Sequence, residues 1–189
     1  SGTNAETGMA AQDALNLALK EWNSRQNRYR YRIFYLDDSG KAEQTKKNLL
    51  TLLEKQNAAA VITLWTPAAE EAIPLAGKFR RLHFTCAFGS GLSDGLYNFN
   101  HYLSYHTDKF TDNFRQAAGK LPASCSSNLY DALGLLIFAY ENTPPDWGRS
   151  LPSAERVSRS LHKIFNHASA SGQIRIAPNG TVLPAEEQP

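Results

Sequence analysis

The clearest candidate for covalent chemistry in this sequence is a serine flanked by glycines. Gly91-Leu-Ser93-Asp-Gly95 matches G-x-S-x-G, the turn that exposes the nucleophilic serine of α/β-hydrolases. That mechanism requires a helix directly after the turn and a histidine later in the chain, and His162 and His167 do come later. The Leu-Tyr-Asn-Phe-Asn that follows Gly95 is not a helix start. We therefore interpret the segment as a Gly/Ser loop, predict no enzymatic activity, and keep a serine hydrolase that uses Ser93 as an alternative.

The histidines do not form a metal-binding pattern. His101 and His106 are five residues apart, as are His162 and His167, so neither pair shares one face of a helix. No carboxylate completes either pair into a ligand set. No glycine-rich loop of the kind that cradles phosphate is present. We expect neither a metal nor a cofactor.

The composition is that of an ordinary globular chain. Its 189 residues are enough for one domain, and 42% are hydrophobic. Twenty Lys and Arg against 18 Asp and Glu give a formal net charge of +2, and the basic residues within 25–32 are too sparse for a nucleic-acid surface. No run approaches the ~18 apolar residues of a membrane helix, so we expect no membrane insertion.

Short apolar runs alternate with amphipathic helical stripes along the chain. We predict strands of a parallel sheet at about 31–36, 59–64 and 82–87, since each run is bounded by turn signals or helical stripes. Gln173–Ile176 and Thr181–Leu183 flank a Pro-Asn-Gly turn and predict a hairpin. The alternation predicts an α/β fold: a doubly wound, mostly parallel sheet with helices on both faces. A first strand is missing from this pattern, and we expect it just before Ser1.

Five local segments, taken in order, point to one protein family. They are Ser1-Gly2 with Glu21-Trp22-Asn23, Tyr35-Leu36-Asp37-Asp38, Ala59-Ala60-Val61-Ile62, Tyr130-Asp131-Ala132, and Ser171-Gly172-Gln173-Ile174 with Pro178-Asn179-Gly180. Together they resemble the type I periplasmic solute-binding proteins of the leucine/isoleucine/valine-binding kind. The resemblance implies a single binding-protein-like lobe over 1–183, built from a first segment (1–100) and a returning segment (101–183), with a polar tail at 184–189. Members of that family have two lobes, so it also implies that the second is absent here.

The resemblance further implies where a ligand would bind. In open α/β sheets ligands sit at the carboxyl ends of the strands. The positions that correspond to this edge are Ser1, Thr3, Trp65, Thr66, Cys86, Ala87 and Phe88. The implied function is non-catalytic recognition of an amino-acid-like or other small solute in the periplasm, within an ABC uptake or sensing system. Thr66 has a second interpretation, because threonine before a helix also serves as its cap.

The absent second lobe suggests an alternative function in protein interaction. Removing a lobe uncovers a face on which Tyr97, Tyr102 and Tyr105 are expected, next to Trp65 and Phe88. Such an aromatic patch favours binding of a periplasmic protein or of a second copy. The opposing expectation is that about half of these aromatic side chains belong to the core.

The resemblance also brings the two cysteines together. Cys86 ends a predicted strand, and Cys125 precedes a helix that the family packs beside the same end of the sheet. We expect a disulfide between them, which would fit an oxidising compartment. The alternative is two separate buried thiols.

Overall fold

The computed structural model describes residues 5–87, 95–99 and 105–185, and the chain forms six α-helices within them. They are α1 (Ala5–Asn23), α2 (Ala42–Leu50), α3 (Thr66–Phe79), α4 (Asp108–Ala118), α5 (Ser126–Asn142) and α6 (Ala154–Leu161). A π-helical turn over Thr51–Lys55 continues α2. The helical stripes of the sequence therefore fold as predicted, except that α6 ends at Leu161 and leaves Phe165 exposed.

The strands form two small sheets within the described residues. The first contains β1 (Ala60–Leu64), β2 (Leu82–Cys86) and β3 (Leu96–Asn98), which are parallel and lie in the order β1-β2-β3. The second is antiparallel and contains β4 (His167–Ser169), β5 (Gly172–Ile176) and β6 (Val182–Pro184). The predicted hairpin is thus confirmed as β5 and β6, and the two sheets meet where Asn98 bridges to Thr181.

The segment predicted as a strand at 31–36 is the main correction to the fold. It forms no regular secondary structure and pairs with no strand in the described part of the chain. Side chains hold it in place: the amide group of Asn23 donates to the carbonyl of Tyr31 (2.9 Å) and accepts from its N–H (3.1 Å). Glu141 accepts from the backbone N–H groups of Arg28 (2.7 Å) and Tyr29 (3.2 Å). A β-strand requires backbone hydrogen bonds to an adjacent strand, and this segment has no adjacent strand among the described residues.

The core forms around α5, which is buried along most of its length. One cluster joins Leu82, Phe84 and Tyr97 of the sheet to the face of α5 that carries Leu135. A second cluster joins α5 to α1 and to the ends of the parallel strands. All five side chains of β2 are buried, as expected for a strand covered on both faces.

A buried carboxylate fastens the second sheet to α5. Asp131 accepts hydrogen bonds from the backbone N–H groups of Ala170 (2.7 Å) and Ser171 (2.9 Å). Burial raises the pKa of Asp131 to about 6, and these hydrogen bonds oppose part of that rise. The Tyr-Asp-Ala segment therefore positions the antiparallel sheet through its central residue.

Candidate functional site

The chain turns sharply at Trp65, which lies at the carboxyl edge of the parallel sheet. This residue follows β1 and precedes α3, with a left-handed backbone (φ 76°) that is rare for a bulky side chain. Its backbone N–H points toward the carbonyl of Cys86 (3.4 Å), which joins the ends of β1 and β2. Its indole Nε1 is buried and has no hydrogen-bond acceptor within the described part of the chain. Unpaired buried donors are uncommon, and this one stands at the predicted ligand edge.

Thr66 lies at the amino end of α3 beside this turn. Trp65 occupies the cap position, and Thr66 is the first helical residue, with Pro67 directly after it. The side chain of the cap residue makes no hydrogen bond to the first turn of α3. The expectation that Thr66 itself is the cap is therefore off by one residue.

The two cysteines are joined. Cys86 and Cys125 form a disulfide with a Cα–Cα distance of 6.4 Å, which confirms the predicted bridge. It links the end of β2 to the start of α5, and both cysteines are fully buried. Ala87 is also fully buried, and its carbonyl accepts from the side chain of Asn98 (3.1 Å). Cys86 and Ala87 therefore lie at the carboxyl edge of the sheet, but their side chains are not exposed there.

The first turn of α5 adds polar groups that the sequence analysis did not single out. Ser127 donates to the carbonyl of Tyr105 (2.6 Å) and lies 2.8 Å from Nδ1 of His106, whose pKa burial lowers. Asn128 donates to the carbonyl of Phe99 (3.3 Å), while its buried Oδ1 has no partner. The available signal was the Ser-Ser-Asn run immediately before a strong apolar stripe.

The expected aromatic patch is only partly on the surface. Tyr97 is fully buried, stacked on Phe84 at 4.9 Å between ring centroids, with its hydroxyl 2.7 Å from that of Ser158. Tyr97 therefore belongs to the core, which corrects its assignment to an interaction face. Tyr105 is exposed, and Trp65 is half-buried. Ser1, Thr3, Phe88, Ser93 and Tyr102 lie outside the described residues.

Three buried polar side chains, those of Thr63, His83 and Thr85, contact one another inside the parallel sheet. The hydroxyl of Thr63 lies 2.8 Å from Nε2 of His83 and 3.0 Å from the hydroxyl of Thr85. The other ring nitrogen of His83 is buried without a partner. Burial lowers the pKa of His83 to about 4, so the imidazole is neutral at physiological pH. Its position inside the sheet keeps it away from any solute at the edge.

A groove of about 850 Å³ runs between segment 29–38 and β1. Of the described residues predicted to bind ligand, Trp65 alone lines it. Among the described residues there is no group of three potential metal ligands, and none of their helices is long and apolar enough to cross a bilayer.

The parallel sheet and its flanking helices define an α/β structure with the fold of type I periplasmic solute-binding proteins, as expected from the sequence. The chain matches no protein-family model, and no curated protein is significantly similar to it in sequence.

Three solved structures illustrate the likeness. The branched-chain amino acid substrate-binding protein LivJ from Streptococcus pneumoniae, in complex with isoleucine, matches with a TM-score of 0.81 and 12% identity, over 96% of this chain and 90% of that one. The leucine-binding protein LivK from Thermotoga maritima gives 0.77 and 12%, over 97% and 91%. A solute-binding protein from Rhodopseudomonas palustris, in complex with 3,4-dihydroxybenzoic acid, gives 0.76 and 12%, over 97% and 88%. At this identity, the likeness establishes the fold.

Proposed function

We propose that this chain is a non-catalytic binding module that recognises a small solute bearing a carboxylate at the carboxyl edge of its parallel sheet. The observation that carries the proposal is the turn at Trp65. There the buried indole N–H of Trp65, which has no acceptor among the described residues, stands at the amino end of α3. A donor beside the positive end of a helix favours an anionic acceptor.

The structural neighbours support this choice of ligand chemistry. Solved neighbours were crystallised with isoleucine, 3,4-dihydroxybenzoic acid, leucine or benzoate, which differ in side group but share a carboxylic acid. A site that uses the same sheet edge would hold the carboxylate and leave the rest of the solute to a second surface. In this proposal the protein works outside the cytoplasm, in uptake or sensing with an ABC system.

One lobe supplies only half of a cleft. Small-molecule sites normally bury most of the ligand surface, and two-lobed proteins do so by closing around it. This chain alone therefore binds its solute weakly, and a partner surface or a second copy completes the site. We expect a Kd for the isolated chain closer to the millimolar than to the nanomolar range, about −4 kcal/mol of binding free energy.

Tryptophan fluorescence provides the test. The chain contains three tryptophans, so Trp22→Phe and Trp147→Phe together leave Trp65 as the reporter. Titration with isoleucine or benzoate should change its emission, whereas isoleucinamide and benzamide, which lack the carboxylate, should not. Thr66→Val should weaken binding about tenfold or more, because a hydrogen bond to a charged group is lost. Thr51→Val, which removes a remote exposed hydroxyl, is the matched control. Equal responses to the acids and their amides would refute the proposal.

A protein-interaction module is the second candidate, favoured by the exposed ring of Tyr105 near the same edge. An interface there would bury Tyr105 against a periplasmic protein or a second copy. Sedimentation equilibrium of the wild type and Tyr105→Ala decides whether self-association uses this ring: a dimer that the substitution dissociates supports it, and an unchanged dimer excludes it.

The hydrolase alternative has a simple test as well. Of the two histidines named above as later in the chain than Ser93, His162 packs against the ring of Tyr97 and His167 against Phe138, with centroids 5.7 and 5.4 Å apart. Both rings are thus engaged in packing. We expect no labelling of Ser93 by a fluorophosphonate probe, with Ser93→Ala as the reference sample.

A further inference from the structure

The loop that follows α1 encloses a small cavity lined by arginines. Its volume is about 260 Å³, and the residues that line it are Asn23, Arg25, Asn27, Arg28, Tyr29 and Arg30. This lining carries three guanidinium groups and no carboxylate, and all three arginines are exposed to solvent. Guanidinium groups donate hydrogen bonds and accept none, so a cavity of this kind favours an anion.

The acidic side chains beside the loop are engaged with other donors. Both oxygens of Glu141 accept from the backbone N–H groups of Arg28 and Tyr29, and one of them also accepts from the hydroxyl of Tyr31 (2.6 Å). The guanidinium of Arg28 is attracted by Glu141 and donates to the carbonyl of Thr143 (3.3 Å). Arg25 and Arg30 form no ion pair with a carboxylate in the described part of the chain. Their charge is therefore available to a ligand.

The loop also covers the negative end of α1. The amide group of Asn27 donates to the carbonyl of Trp22 (2.6 Å), and the hydroxyl of Ser24 donates to the carbonyl of Glu21 (2.7 Å). The guanidinium of Arg25 lies over the Trp22 ring, 4.2 Å from its centroid. Free carbonyls at the end of a helix repel an anion, and these hydrogen bonds satisfy two of them.

The cavity lies at the opposite edge of the parallel sheet from Trp65. α5 begins at the disulfide, which marks the carboxyl end of β2. At the other end of α5, the hydroxyl of Tyr140 lies 3.4 Å from the carbonyl of Ala59, just before β1, and Glu141 holds the loop. The arginines therefore stand at the amino edge of the sheet, away from the proposed carboxylate site.

We propose that this cavity is a binding site for a phosphate group, borne either by a phosphorylated solute or by a lipid headgroup. Arg25 and Arg30 bind the phosphate oxygens through their forked N–H groups, and Arg28 adds a third positive charge. A phosphate monoester carries a charge of about −1.5 to −2 and three acceptor oxygens, so it matches this set of donors better than a carboxylate does.

Isothermal titration calorimetry of the full 189-residue chain with inorganic phosphate is the first test. At pH about 8, where phosphate is mainly a dianion, and at constant ionic strength, we expect a Kd of about a millimolar or lower. Acetate should bind at least about tenfold more weakly, because it has one charge and two oxygens. Absence of phosphate binding, or equal affinity for acetate, would overturn the proposal.

Arg30→Gln and Arg32→Gln form a matched pair of variants. Arg32 is exposed and two residues further along the same segment, but it lies over Phe34 (4.7 Å) and lines the larger groove instead of this cavity. Arg30→Gln should raise the Kd for phosphate about tenfold, because a charge-assisted hydrogen bond is lost, and Arg32→Gln should leave it within about twofold. Equal effects of the two variants would show attraction to net charge only. A lower Tm of Arg30→Gln with an unchanged Kd would show that Arg30 only stabilises the loop; either result refutes the site.

The source of the phosphate group is decided by sedimentation with vesicles. If the group belongs to a lipid headgroup, phosphatidylcholine vesicles that contain phosphatidic acid should bind the wild type and Arg32→Gln but not Arg30→Gln, and pure phosphatidylcholine vesicles should bind none of them. If phosphate binds in calorimetry and neither vesicle binds, the ligand is a phosphorylated solute. Thr66→Val and added benzoate should leave the Kd for phosphate unchanged, so this test succeeds or fails independently of the proposed carboxylate site.

Discussion

Removing the Cys86–Cys125 disulfide should lower the free energy of unfolding by about 4 kcal/mol. The two cysteines are 39 residues apart in sequence. The chain-entropy relation for a loop of this length gives about 13 cal/mol/K, or about 4 kcal/mol at 25 °C. Both cysteines are fully buried, so Cys86→Ala with Cys125→Ala keeps the site apolar while removing the constraint. The loss is a large fraction of the stability of a typical domain.

Urea unfolding of the oxidised wild type and of the double alanine variant measures this loss. With a slope of about 2 kcal/mol/M, the midpoint should fall by about 2 M. The wild type kept under reductant is the internal control, and it should unfold close to the double variant. Coincident midpoints for all three samples would refute the assignment of the stabilisation to loop closure. Alkylation that adds no mass before reduction, and two adducts after it, verifies the bridge in the starting material.

Two further predictions concern single residues. Gly180→Ala should destabilise the protein by about 3 kcal/mol or more, because Gly180 has a φ of 85° and an added Cβ would lie 2.0 Å from the carbonyl oxygen of Leu96. Gly77→Ala should stabilise the protein by about 0.5–1 kcal/mol, because an added Cβ at this position of α3 meets open space. Thermal unfolding measures both changes. Burial lowers the pKa of His83 to about 4, against about 6.5 in the unfolded chain. The neutral imidazole therefore contributes fully to the free energy of unfolding above pH 6.5, and this contribution is lost as the pH falls toward 4. The stability difference between the wild type and His83→Gln should therefore shrink by about 3 kcal/mol over that range, and a pH-independent difference would contradict it. Burial also raises the pKa of Asp131 to about 6, so the titration of Asp131 favours folding as the pH falls. This effect is the same in the wild type and in His83→Gln, and it cancels when the two stabilities are subtracted.

Local pattern was enough to predict most of the elements. The helical spacing of apolar residues in α5 and the continuous apolar run in β1 are both local patterns, which can be recognised without knowledge of distant residues. The disulfide was predicted once the family resemblance placed Cys125 near the end of β2. In each of these cases the property follows from neighbours in sequence or from a known order of segments.

The outcome at segment 31–36 depended on the tertiary structure. Its residues favour a strand, yet strand pairing requires a neighbour across a gap, and that information is not local. The backbone is instead held by Asn23 and Glu141, side chains from two helices that sequence spacing does not relate to it. Sequence propensity predicted a strand here, and tertiary packing determined which groups contact the segment instead.

The candidate site was divided in the same way. The sequence by itself determined that Trp65 and Thr66 follow an apolar strand, and hence that they lie at the carboxyl edge of an α/β sheet. Only the tertiary structure decided that Tyr97 packs in the core, that the indole N–H of Trp65 has no acceptor among the described residues, and that Ser127 meets His106. Burial and hydrogen bonding join residues that are distant in sequence, and the folded chain alone determines which of them meet.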